Sequence, residues 1–152
     1  MTTCTAQVAL KRFGRTAWRF QKTFHTPLQN LELYVSTILS GEPRLEQGCV
    51  TVDQIVFDPK HLEALLSSHK LSSELVRESS ICASGLEETQ RLLIASFSDW
   101  VDFWFVPQPK SFAIYADHDE YTTFYASTKS NLARVVSPLL GKGFKEVPDF
   151  AR

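Results

Sequence analysis

Two runs of six residues, Ser111-Phe112-Ala113-Ile114-Tyr115-Ala116 and Tyr121-Thr122-Thr123-Phe124-Tyr125-Ala126, flank the polar stretch Asp117-His118-Asp119-Glu120. Aromatic and β-branched residues on either side of a short polar segment are the pattern of a β-hairpin. A four-residue loop pairs Ala116 with Tyr121, Ile114 with Thr123 and Phe112 with Tyr125. That pairing puts these six on one face and Ala113, Tyr115, Thr122 and Phe124 on the other. Both faces carry large apolar groups, so the hairpin is expected at the centre of the fold, covered at least partly on each side.

The chain around it offers enough sequence for one domain. At 152 residues, 43% of them hydrophobic and with 11 Phe, 4 Tyr and 3 Trp, it can bury a sizeable core. Leu132, Val135, Val136, Leu139 and Leu140 recur at helical spacing behind a Ser127 or Thr128 cap. Gly141 and Gly143 stop that helix, and Pro138 lies inside it. Residues 144–147 then read as an edge strand.

Upstream, Leu10, Phe13, Ala17, Phe20 and Phe24 follow spacings of 3, 4, 3 and 4, which predicts an amphipathic helix over 8–24. Thr26-Pro27 reads as the start of a second helix, with Leu28, Leu31, Val35, Ile38 and Leu39 inward and Gly41 at its end. Residues 49–57 read as a strand bent near Asp53-Gln54. Asp58-Pro59 opens a short helix to about Ser68. The serine-rich stretch 67–84 reads as a connector with a helical turn near 73–77. A helix over 85–97 carries Leu86, Leu92, Leu93 and Phe97, and Asp99 to Val106 reads as a strand closed by Pro107 and Pro109. Helices followed by a run of strands predict an α+β domain over 1–152. Its antiparallel sheet is built on a C-terminal meander of about 101–106, 111–116, 121–126 and 144–147.

The formal net charge is -1, but it is unevenly spread. Residues 1–30 hold five basic residues and no acid; residues 31–126 hold six basic against fifteen acidic, a net of -9; residues 127–152 hold five basic and two acidic. An acidic middle does not suit a nucleic-acid cleft, and it suits a basic protein partner. Nucleic-acid binding by the basic residues of 10–22 ranks below that for the same reason. Cys4, Cys49 and Cys82 are odd in number and lack a CxxC pairing, which predicts a reducing compartment and neither a disulfide framework nor a zinc site. No long apolar run suggests a signal peptide or a membrane span, so a cytoplasmic protein is expected.

Few residues point to chemistry. Asp117-His118-Asp119-Glu120 could bind a cation or work as acid and base, but adjacent turn residues splay apart, and Asp and His are ordinary turn formers. His25, His61 and His69 stand in no metal-ligand spacing and read as surface or capping residues. Ser127-Thr128-Lys129-Ser130 lacks the glycines of a phosphate loop and reads as a cap. No metal, cofactor or catalytic set is expected. The aromatic and acidic residues near the hairpin suit an interface with a basic protein: Tyr and Trp give area, carboxylates give steering. The candidate contacts are Asp99, Asp102, Tyr115, Asp117, His118, Asp119, Glu120 and Tyr121.

Residues 112–124, the helix after them and Gly143-Phe144-Lys145-Glu146-Val147 resemble small bacterial proteins associated with immunity genes of contact-dependent inhibition and other polymorphic toxin systems. The resemblance covers the last third of the chain. It implies a cytoplasmic inhibitor that occludes the toxin domain of its own system, a nuclease with a basic cleft being one such toxin. The alternative is a small enzyme or ligand-binding domain with a pocket at the 111–126 hairpin, using His118 with Asp117 or Asp119.

Overall fold

Along residues 102–108 the side chains of Phe103, Phe105 and Pro107 are buried on one face of a strand, and those of Trp104 and Val106 are half-buried on the other. This strand lies fourth in an eight-stranded sheet, and the whole fold is laid out on either side of it. The computed structural model describes residues 1–4 and 18–150. In chain order they form β1 (Thr2–Cys4), β2 (Phe20–His25), α1 (Leu31–Leu39), β3 (Gln47–Gln54), α2 (Lys60–Ser68), β4 (Ser80–Ser84), α3 (Gly85–Ser98), β5 (Asp102–Gln108), β6 (Ala113–Ala116), β7 (Tyr121–Ala126), α4 (Lys129–Gly141) and β8 (Glu146–Val147). The sheet order is β1-β4-β3-β5-β6-β7-β2-β8, antiparallel at every pairing. Four helices and an antiparallel sheet make an α+β fold, as the sequence predicts. No helix among the described residues is long and apolar enough to cross a membrane.

One row of paired residues crosses the sheet as Ile81, Val50, Phe105, Ile114 and Phe124, all buried, and the helices pack over that face. Thr89 of α3 comes down on Gly48, where an added Cβ would also meet the Phe105 ring at 2.7 Å. Tyr34 of α1 packs edge-on against Phe97 of α3, and Phe97 against Phe103. On the opposite face the adjacent row runs Ser80, Thr51, Trp104, Tyr115, Thr123, Thr23 and Val147. Hydroxyl pairs join Thr51 to Ser80 and Thr23 to Thr123, each at 2.9 Å, and the Trp104 and Tyr115 rings lie 4.6 Å apart.

The hairpin forms where expected, with Phe112 and Ile114 on one buried face, but its register differs by one residue. Ala116 pairs with Thr122, Tyr115 with Thr123 and Ile114 with Phe124. Asp117 closes the pairing itself by donating its N–H to the Tyr121 carbonyl, which leaves a three-residue loop. A one-residue slip moves a strand's side chains to the other face. Thr122, Phe124 and Ala126 therefore join Phe112 and Ile114 against the helices, and Tyr121, Thr123 and Tyr125 face the other way.

Other boundaries shift for physical reasons. Residues 8–17 of the predicted first helix lie outside the described residues, and its last part is β2. Phe20 and Phe24 fit a helical stripe, but they also alternate with Gln21, Thr23 and His25, and pairing with β7 along its whole length favours the extended form. Thr26 does not cap a helix: its hydroxyl is buried against that of Thr122 at 2.6 Å. The helix begins instead at Leu31, after Asn30 in a left-handed conformation (φ 62), and leaves Leu28 exposed. Residues 80–84 are a strand and not part of a connector. This β4 lies between β1 and β3, with Ile81, Cys82 and Ala83 buried. The strand expected over 49–57 is Gln47–Gln54, with its irregularity between Val52 and Gln54, close to the expected bend. That expected over 99–106 is Asp102–Gln108 and includes Pro107. The last strand is Glu146–Val147, and it extends the sheet from β2 and not from the meander. Leu86 and Leu140, expected inward, are exposed.

Cys49 and Cys82 oppose one another on β3 and β4 and form a disulfide. Their Cα atoms are 4.1 Å apart, which is the close spacing of a pair without direct backbone bonds in an antiparallel ladder. This overturns the expectation of unlinked cysteines. The expectation failed because β4 is short and flanked by serines. Without it, nothing in the sequence brings Cys82 opposite Cys49.

Candidate functional site

The polar turn between β6 and β7 is built by carboxylates acting on backbone amides. Asp117 Oδ1 accepts from the N–H groups of Asp119 (3.1 Å) and Tyr121 (3.0 Å), the local bonding that makes Asp a turn former. Asp102, at the start of β5 and 4% exposed, reaches across from the neighbouring strand. Its Oδ1 accepts from the His118 N–H at 2.7 Å and faces His118 Nδ1 at 2.8 Å. One buried carboxylate thus holds both the backbone and the side chain of His118. The far nitrogen, Nε2, faces Asp119 Oδ1 at 3.8 Å. Glu120 occupies the left-handed position of the loop (φ 69), and its carbonyl accepts from Thr26 N–H at 2.8 Å. That position favours glycine, and a side chain there costs about 1 kcal/mol.

The His118 imidazole is held above its ordinary pKa, first by the hydrogen bond to Asp102 and then by the nearby charges of Asp102, Asp119 and Asp117, against an opposing effect of burial. A pKa raised on folding means that protonated His118 stabilises the fold below its unfolded value, near 6.5, and that this contribution is lost as pH rises through the folded value. Titration by NMR should place the His118 transition above that of an unperturbed histidine, and Asp102→Asn should bring it down. An unchanged midpoint in the variant would contradict the clamp.

Asp99 does something different. It follows α3, is 5% exposed, and caps α2: Oδ1 accepts from His61 N–H at 3.1 Å and Oδ2 from Leu62 N–H at 2.8 Å. His61 Nδ1 lies 2.5 Å from the same Oδ1. The cap residue of α2 itself, Pro59, offers no side-chain acceptor, so a carboxylate distant in sequence satisfies that helix end.

Of the eight residues expected at a partner surface, Asp99 and Asp102 are therefore engaged inside the fold. The other six gather at one end of the sheet. Asp119 and Glu120 are exposed there, with Asp117 and His118 half-buried beside them. Tyr121 stacks between His25 (5.5 Å) and Phe150 (4.7 Å). Tyr115 lies on the face opposite the helices and donates its hydroxyl to Asp53 Oδ2 at 2.8 Å. Among the described residues, no three of His, Cys, Asp and Glu converge in a way that could hold a metal ion.

Searches of protein-family models, curated proteins and solved structures found no match. The asymmetry of the turn was not legible in the sequence: Asp117, Asp119 and Glu120 are all carboxylates, yet Asp117 builds the turn together with Asp102 from β5, and Asp119 and Glu120 project from it. Asp53 and His25, which flank it from β3 and β2, could be found only once the strand order was known.

Proposed function

We propose that the protein is a binding protein, and not an enzyme, that captures a basic protein partner with the turn at 117–120. Its specific form is an immunity protein that occludes a bacterial toxin domain. The observation that carries this reading is the exposed pair Asp119 and Glu120 at the tip of a turn that Asp102 clamps from β5, with Glu120 at φ 69, where glycine would relieve the strain. A left-handed glutamate beside an exposed aspartate, on a turn clamped from β5, is costly as turn design. It is economical as a rigid display of two carboxylates. The net of -9 over residues 31–126 adds the long-range field that would steer a basic partner. In this reading His118 positions the tip and Tyr121 backs it.

An immunity protein against a nuclease would act in the cytoplasm, where thiols are kept reduced. The reading therefore requires the Cys49–Cys82 dithiol form to remain folded and to bind.

The test is co-expression with the toxin domain encoded beside the gene, scored as cell survival. The double variant Asp119→Lys, Glu120→Gly should lose protection, since truncating close interfacial charges costs about 2–5 kcal/mol. Its thermal midpoint should be unchanged or higher, because glycine accepts the left-handed position. Full protection by this variant would remove the tip from the interface. Failure of the wild-type protein to bind that toxin would end the immunity reading.

A further inference from the structure

The end of β5 away from Asp102, about 20 Å along the strand, meets the loop that leads from α1 into β3: Glu46 N–H donates to the Gln108 carbonyl at 2.8 Å. A pocket of about 370 Å³ opens between this loop, α1 and the start of α3. Leu39, Leu45 and Leu86 give it apolar walls.

Glu42 lines the same pocket and is only 2% exposed. Its Oε1 accepts from Arg44 N–H at 3.2 Å, and its Oε2 has no partner among the described residues. Arg44 lends its backbone amide and not its guanidinium, and Arg91, next to Gln90, pairs with Glu87 at 2.7 Å. A buried carboxylate with one neutral hydrogen bond and no cation is costly. Two hydroxyls share the lining. Ser36 and Ser40 donate their protons to the Leu33 and Thr37 carbonyls at 3.0 and 2.6 Å, so toward the pocket both can only accept. The last turn of α1 holds no basic residue to offset the partial negative charge of its carbonyl end. Apart from the Gln90 amide, the polar lining is therefore made of acceptors.

We propose that this pocket binds a small organic cation, an ammonium or guanidinium carried on a short aliphatic stem. Such a head group only donates hydrogen bonds, so it complements an acceptor lining and supplies the charge that Glu42 lacks. Its methylenes would lie against Leu39, Leu45 and Leu86. A bare divalent ion is a poor occupant, because it takes about six oxygen ligands and the pocket offers one carboxylate among leucines. Free alkylamines and alkylguanidines carry this chemistry, and so do the lysine and arginine side chains of another protein. The proposal is independent of the turn at 117–120.

The probe is butylguanidinium, with butylurea as its uncharged counterpart and acetyl-Gly-Arg-Gly-amide as the protein-borne form. Each is titrated against ¹⁵N-labelled protein to about 10 mM, which covers weak ligands of this size. Butylguanidinium should shift the Arg44 and Leu45 amides and the Gln90 side-chain amide, and butylurea should bind at least about tenfold more weakly. Glu42→Gln can still accept from Arg44 N–H. It should weaken butylguanidinium about tenfold or more, yet keep or raise the thermal midpoint, because an unpaired buried charge is removed. Asp119→Lys should leave binding unchanged, so a failure here and a failure at the turn remain distinct. Tighter binding of butylguanidinium than of the peptide assigns the pocket to a free ligand, and the reverse assigns it to a partner's arginine; either result sustains the proposal. Equal binding of butylguanidinium and butylurea, full binding by Glu42→Gln, or no shift with any of the three would overturn it. So would a lowered midpoint in Glu42→Gln, which would show that the carboxylate is already satisfied.

Discussion

Phe105→Ala is expected to lower stability by about 3–5 kcal/mol, the range for removing a large aromatic side chain from a core. Phe105 is fully buried in the central strand β5, between Val50 of β3 and Ile114 of β6. Phe112 lies 6.3 Å away, centroid to centroid. Its neighbours in the sheet are fixed on both sides by backbone ladders. Above it, Thr89 and Gly48 are already in close approach, so the cavity has little room to collapse. The thermal midpoint should fall by roughly 6–20 °C. A loss below about 1.5 kcal/mol, typical of a site that readily repacks, would contradict the placement of Phe105.

The second large effect concerns the disulfide. Cys49 and Cys82 are 33 residues apart in sequence, and the segment they close contains α2 and the loop that leads into β4. Cross-linking a loop of that length restricts the unfolded chain by an amount worth about 3–4 kcal/mol. The double variant Cys49→Ala, Cys82→Ala, and the wild-type protein under dithiothreitol, should both lose stability of that order while still folding through the same sheet. Mass spectrometry of the native protein treated with a thiol reagent should find both cysteines unlabelled until reduction. Labelling at both positions before reduction, or no change in midpoint on reduction, would contradict the bond.

Helix α4 was legible because cap, apolar period and stop coincide in one stretch, and Thr128, which accepts from Asn131 N–H at 3.1 Å, is that cap; α2 and α3 were legible from their apolar spacing, although no side chain of their own N-cap residues caps them. The hairpin was legible from its β-branched and aromatic runs, but not its register, which Asp117 sets by pairing with Tyr121. What escaped was decided by distant partners. β2 is a strand because β7 offers it a ladder, and β4 because β1 and β3 enclose it. At the candidate site the same principle sorted the carboxylates. Asp99 and Asp102 look like surface acids in the sequence, yet one caps α2 and the other clamps His118. Local pattern carries no information about such long-range bonds.

The most direct test of the proposed function is the rate at which the protein associates with a toxin domain encoded by a neighbouring gene, where one is found, followed by stopped flow over a series of salt concentrations. If Asp119 and Glu120 meet a basic surface, the wild-type rate should fall about tenfold or more as exposed charges are screened. The Asp119→Lys, Glu120→Gly variant should start slower and depend less on salt. A wild-type rate indifferent to salt, or a variant that associates as fast as the wild type at low salt, would contradict capture by the acidic turn.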